Sequence, residues 1–83
     1  MRVMIVEGVY RVKGTQLVGR LECDVRVNDS VFIGPHAAKI FAIENFNKLR
    51  DSASAGEGVA LMFRNIQDVP VEPGWEITVE QGG

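Results

Sequence analysis

Few residues in this sequence are of the kinds that carry chemistry. The 83 residues include one cysteine, Cys23, and one histidine, His36. A lone cysteine excludes an internal disulfide and a cysteine-rich metal site. A histidine metal site or a Ser-His-Asp triad would have to be built around His36 alone, and no partner residues are spaced for it. The G-x-x-x-x-G-K-S/T loop that cradles nucleotide phosphates is missing, so no nucleotide is expected. No cofactor or metal is expected either, and enzymatic activity is not. No stretch approaches the ~20 apolar residues of a membrane span, so no membrane partner is expected. Arg2, Glu7 and Arg11 interrupt the apolar runs near the start, where no signal-peptide pattern forms. A cytoplasmic location is the expectation.

A basic excess is also lacking, since the net charge is −2. Proteins that grip phosphate backbones without regard to sequence draw affinity from a cationic surface. Any RNA contact made by this chain must therefore be local. What the chain does have is apolar residues, 46% against 24% charged, which excludes a disordered tail. The length suits one domain, residues 1–83, with no repeat and no linker. Nine glycines spread along it point to many turns between short strands.

The run Val3 to Val12 is rich in β-branched residues and its second half alternates. Lys13-Gly14-Thr15 supplies a turn, and Gln16 to Cys23 forms a returning strand, so a hairpin is expected. Gly8 and Gly19 inside these strands suggest bulges or tight bends. A second turn lies at Val27 to Ser30, where Asn28 tolerates a left-handed conformation. Ser30 to Ile33 is a short strand closed by Gly34-Pro35.

The segment 36–50 reads as helix on local preference: Pro35 suits a first helical position, and Ala37, Ala38, Lys39, Glu44, Lys48 and Leu49 are good helix formers. Ile40, Phe41, Ile43 and Phe46 favour strand equally well. Asp51 to Gly58 reads as a small-residue loop, and Val59 to Arg64 as a central strand. Asn65 to Pro73 is irregular, and Gly74 turns into a last alternating strand, Glu76 to Glu80, with Ile77 and Val79 facing inward.

Several of these segments fall in a recognisable order. Gly14-x-x-Leu17-Val18-Gly19-Arg20-Leu21-Glu22 resembles the G-x-V-x-x-G-R-V-E hairpin of the β-barrel after the GTPase domain in elongation factor Tu. Val27-Asn28-Asp29-Ser30-Val31-Phe32-Ile33-Gly34 is similar to its V-G-D-x-V-x-I-G turn and strand. Ile43 to Leu49 is similar to its V-E-M-F-x-K stretch, and Ala55 to Ile66 to its A-G-D/E-x-V-x-x-x-L-R-G-I strand. The match is strongest over residues 7–79. The resemblance implies an all-β fold: a small closed antiparallel Greek-key barrel of six to seven strands. It also implies strand through Phe46 and then a loop, against the helical reading. The expected core is Val9, Leu17, Leu21, Val31, Ile33, Ile43, Val59, Leu61, Phe63 and Ile77. The chain departs from the family at Cys23-Asp24, where a glycine is usual, and in a shorter connection between Ile33 and Ile40.

In that family the barrel helps to hold the acylated 3′ end of tRNA. The resemblance carries three residues onto a candidate RNA contact: Glu44, for the carboxylate of the V-E-M-F stretch, with Glu7 and Tyr10 from the first strand. Asn47 stands where the family has an arginine, and Gly58 where it has an asparagine. With that cation and amide gone, Glu44 is expected to be a solvated strand carboxylate and the 3′-end pocket not to persist. The implied function is a non-catalytic binding module for RNA or a translation component. A protein-protein adaptor that keeps the barrel as scaffold is the alternative.

Trp75 could stack a base, anchor a partner or cap the barrel's end. With Val69 and Val71 it is the expected contact surface, in a homodimer or with another protein. Arg50 and Arg64 could meet phosphate, but Asp51 and Asp68 lie close in sequence to neutralise them. The C-terminal Gly82-Gly83 raises a distant alternative, a ubiquitin-like sulfur carrier, a fold that needs a helix after its first hairpin.

Overall fold

The computed structural model describes residues 1–12 and 14–79. Among these are eleven short strands and no helix: β1 (Arg2–Ile5), β2 (Gly8–Tyr10), β3 (Thr15–Arg20), β4 (Val25–Arg26), β5 (Ser30–Ile33), β6 (His36–Lys39), β7 (Ala42–Asn45), β8 (Lys48–Arg50), β9 (Ser52–Ala53), β10 (Gly58–Phe63) and β11 (Glu76–Val79). Two antiparallel sheets enclose the core, one ordered β1-β11-β5-β6 and the other β2-β3-β10-β7-β8, with a small β4-β9 pair beside them. Glu80 of the expected last strand, Lys13 of the first turn and Gly82-Gly83 lie outside the described residues.

The strands outnumber the expected six to seven because bends cut long stretches in two. The first run does not form one arm of a hairpin. Its first half, β1, pairs with β11, and only its second half, β2, pairs with β3. The switch occurs at Val6-Glu7, whose amides donate to the carbonyl of Trp75, just before β11, and to that of Val18 in β3. Gly19 makes this crossing fit: a Cβ there would stand 2.6 Å from the Ile5 carbonyl oxygen.

The segment 36–50 is strand and not helix. Gly34-Pro35 is the two-residue turn between β5 and β6, and Phe46-Asn47 is the turn between β7 and β8. Strand therefore runs through Asn45, and a third strand replaces the loop implied after Phe46. Ile40 and Ile43 are wholly buried, and pairing with β5 and β10 gives this segment hydrogen bonds and a core face that an isolated helix would lack.

Nine of the ten expected core residues are buried; Val9 is half-buried and packs against them. Val3, Met4, Val6, Val25, Ile40, Ala53, Ile66, Val69 and Val71 complete the core among the described residues. A ubiquitin-like fold is not seen, because no helix packs on either sheet among the described residues. No helix there is long and apolar enough to cross a membrane.

Candidate functional site

Strand β10 lies at the centre of the five-stranded sheet, between β3 and β7. Its alternation sends Val59, Leu61 and Phe63 into the core and Gly58, Ala60 and Met62 outward. Register carries this outward face across the sheet. Gly8, Val18, Ala60, Glu44 and Leu49 share one row, and Tyr10, Gln16, Met62 and Ala42 share the next. The middle of the first row is small, Val18 and Ala60, whereas the middle of the second carries the longer Gln16 and Met62.

Tyr10 is exposed and its ring folds back over Gly8, where a Cβ would stand 3.1 Å from the ring carbon Cε2. Glu44 stands half-buried three strands away, an interstrand span of roughly 14 Å. The structure thus brings Tyr10 and Glu44 to one face, on its first and fourth strands. Glu7 is exposed just before β2, between the strands, where the register does not fix which face its side chain takes.

Arg20 is a member of this face that motif reading passed over. It follows Gln16 and Val18 at outward positions of β3 and pairs with Gly58. Its guanidinium donates to the Gly56 carbonyl at 2.6 Å, which holds the cation beside the turn before β10. The signal was available in the alternation of β3 and was obscured because Arg20 sits inside a motif valued for its glycine. Gly58 shares the outward side, and a Cβ there would meet nothing within 4 Å.

The expected contact surface of Trp75, Val69 and Val71 does not form as a patch. Val69 and Val71 are only 8% and 5% exposed and belong to the core. Arg11 contributes to this: its guanidinium donates to the carbonyls of Ile66, Gln67 and Val69, tying the irregular segment to the end of β2. Trp75 is half-buried and packs on the core, its ring stacked nearly parallel to that of His36 with centroids 6.4 Å apart.

Nor are the two later arginines neutralised as expected. Arg50 lies 3.9 Å from Glu57, and Arg64 lies over the ring of Phe41. Among the described residues no three His, Cys, Asp or Glu side chains are grouped to hold a metal.

Burial and the neighbouring Asp24 push the Cys23 thiol above its usual pKa. That favours the protonated, less reactive form of this half-buried free thiol.

No protein-family model matches the chain. Solved structures of translation GTPases do match its fold. Sup35 complexed with GMPPNP superposes with a TM-score of 0.83 at 26% identity over 93% of this chain. The bacterial selenocysteine-specific elongation factor EF-Sec gives 0.81 at 28% identity over 90%. Elongation factor SelB from Methanococcus maripaludis, in its apo form, gives 0.81 at 22% identity over 93%. The chain spans 20%, 14% and 18% of those three chains, respectively. It is an all-β, barrel-like domain of the kind found in these factors, as the motif order implied.

Proposed function

We propose that the chain is a non-catalytic, cytoplasmic binding module of translation-factor type, built on a closed Greek-key barrel, that contacts RNA through the outer face of its five-stranded sheet. The observation that carries this reading is the register that sets Tyr10, Arg20 and Glu44 on one face, around the small residues Gly8, Val18 and Ala60. Such a face suits a flexible, unpaired strand. Tyr10 offers a ring for a base, Arg20 a cation for a phosphate, and Glu44 an acceptor for a ribose hydroxyl or a base amine. Asn47 and Gly58 withhold the cation and amide of related factors, so an unpaired RNA end suits the face better than an aminoacyl group.

The test is binding of a CCA-ended RNA oligonucleotide at low salt by wild type, Glu44→Ala and Tyr10→Ala. A hydrogen bond to a charged group contributes roughly 1.5–3 kcal/mol, so Glu44→Ala should weaken binding at least tenfold. Equal affinity in all three proteins, or no binding by any, refutes the assignment.

A protein-protein adaptor is the second reading, favoured by one feature. Phe46 and Leu49 on the β7–β8 hairpin are 92% and 72% exposed, and both are large apolar side chains.

A further inference from the structure

A second place on the surface is built for an anionic, planar ligand. Between the β4–β5 turn and the end of β10 lies a cleft of about 320 Å³, lined in part by Asn28, Lys39, Phe41, Arg64 and Asn65. That volume is at the small end of ligand clefts, roughly 300–1,000 Å³, and suits one nucleotide. The floor is firm. Asn28 and Phe41 donate their amides to the Ile40 and Met62 carbonyls, each at 2.8 Å.

Three observations define its chemistry. First, the Arg64 Cζ lies 3.6 Å from the centroid of the Phe41 ring, so the guanidinium rests on an aromatic face. Contact of this kind holds the cation in place and leaves its N–H edge and second face to a ligand. Second, Lys39 adds another cation while no carboxylate lines the cleft, in a chain of net charge −2. Neither Lys39 nor Arg64 joins an ion pair with a carboxylate among the described residues. Third, Asn28 and Asn65 take positive φ, 77° and 63°, at the two bends beside the cleft, and bring side-chain amides able to donate and accept.

We propose that this cleft is a second RNA subsite that takes one unpaired nucleotide. The base stacks on the open face of the Arg64 guanidinium, the phosphate meets Lys39, and the asparagine amides meet the base edge. Guanidinium planes and aromatic rings are the surfaces on which splayed-out bases stack. The proposal rests on the RNA reading above and adds a site remote in sequence from Tyr10 and Arg20. Sequence reading could not isolate it, because Arg64 stands near Asp68 and the cation–aromatic pair joins residues more than twenty positions apart.

The test uses the full chain and a fluorescein-labelled single-stranded RNA heptamer, titrated from low to moderate salt. Arg64→Lys keeps the charge and loses the planar stack, so it should weaken binding on the order of fivefold to a hundredfold. Phe41→Leu, which removes the ring while keeping an apolar side chain, should do the same. Lys39→Ala should flatten the salt dependence by about 0.7 in log–log slope, the mark of one lost phosphate contact on a single strand. Thermal melts of each variant confirm that the fold persists, as these residues lie outside the core. RNA binding that is unchanged in these variants but falls in Glu44→Ala and Tyr10→Ala overturns the cleft and leaves the sheet face standing. Absence of RNA binding by wild type overturns both.

Discussion

The indole of Trp75 lies so close to Gly34 that a Cβ on the glycine would stand 3.0 Å from both Cε3 and Cζ3. Gly34 also holds φ at +56°, in the turn that reverses β5 into β6. The missing side chain thus serves a bend and a packing contact together. Gly34→Ala meets both penalties, about 1–2 kcal/mol for the left-handed conformation and a further overpacking term. We predict a melting temperature lower by roughly 10 °C, read by circular dichroism, with Trp75 emission shifted to longer wavelength. An unchanged melt would show that neither the positive φ nor the indole contact penalises the added methyl.

Arg11 leads to a different kind of prediction, since it binds backbone and not another charge. Its Nη2 lies 2.5 Å from the Val69 carbonyl oxygen, while Nη1 reaches the Ile66 and Gln67 carbonyls and the Thr15 hydroxyl. Bonds from a charged donor are worth about 1.5–3 kcal/mol when lost from a part-buried site. Arg11→Ala is predicted to destabilise the domain by about 2 kcal/mol. It should also speed amide exchange at Val69 and Val71, whose amides bond to the Ile66 and Val69 carbonyls. Exchange at the wild-type rate would mean that the apolar contacts hold this segment alone.

These two contacts mark where sequence reading ended. Alternation in β3, β5 and β10 identified their inward residues, because period-two burial is written directly in the chain. Val69 and Val71 were misplaced because no local pattern marks a proline-interrupted segment as core. Their segment is bonded by Arg11, almost sixty residues earlier. The segment 36–50 was ambiguous for the opposite reason: its local preferences suit helix and strand alike, and hairpin pairing with β5 and within β7–β8, together with β10, decides for strand. Tyr10 and Glu44 were named through the family motifs, but that they share a face with Arg20 follows from register, which composition does not reveal.

Cys23 provides a prediction in pH. Its thiol is held above the ordinary pKa of about 8.5, first by burial and then by Asp24. The unfolded chain therefore loses this proton at lower pH than the folded one. The associated stability is fully present below the unfolded thiol's pKa and is lost as pH rises through the folded value. Denaturant midpoints should fall on going from neutral to alkaline pH, and Cys23→Ser should flatten that fall. Alkylation by iodoacetamide at pH 8 should be slower in the folded protein than after unfolding. Equal rates would place the thiol in free solvent.

Phe46 poses the sharpest conflict between local structure and side-chain choice. The β7–β8 hairpin turns through two residues, Phe46 and Asn47, both at positive φ, 51° and 62°. Two-residue hairpins with positive φ at both central positions favour asparagine followed by glycine. Asn47 fits this chemistry, whereas a bulky aromatic at such an angle is an outlier. Burial does not explain it, because Phe46 is 92% exposed. Strain of this kind, kept without a packing return inside the domain, points to use outside it. Phe46→Asn should therefore stabilise the isolated chain by about 1 kcal/mol and raise its melting temperature by roughly 4–8 °C. If the adaptor reading holds, the same variant should lose a protein partner that wild type recovers from its own cell extract after RNase treatment. A melting temperature that falls on substitution would show that Phe46 packs within the domain, and the argument for an external contact at the hairpin tip would end there.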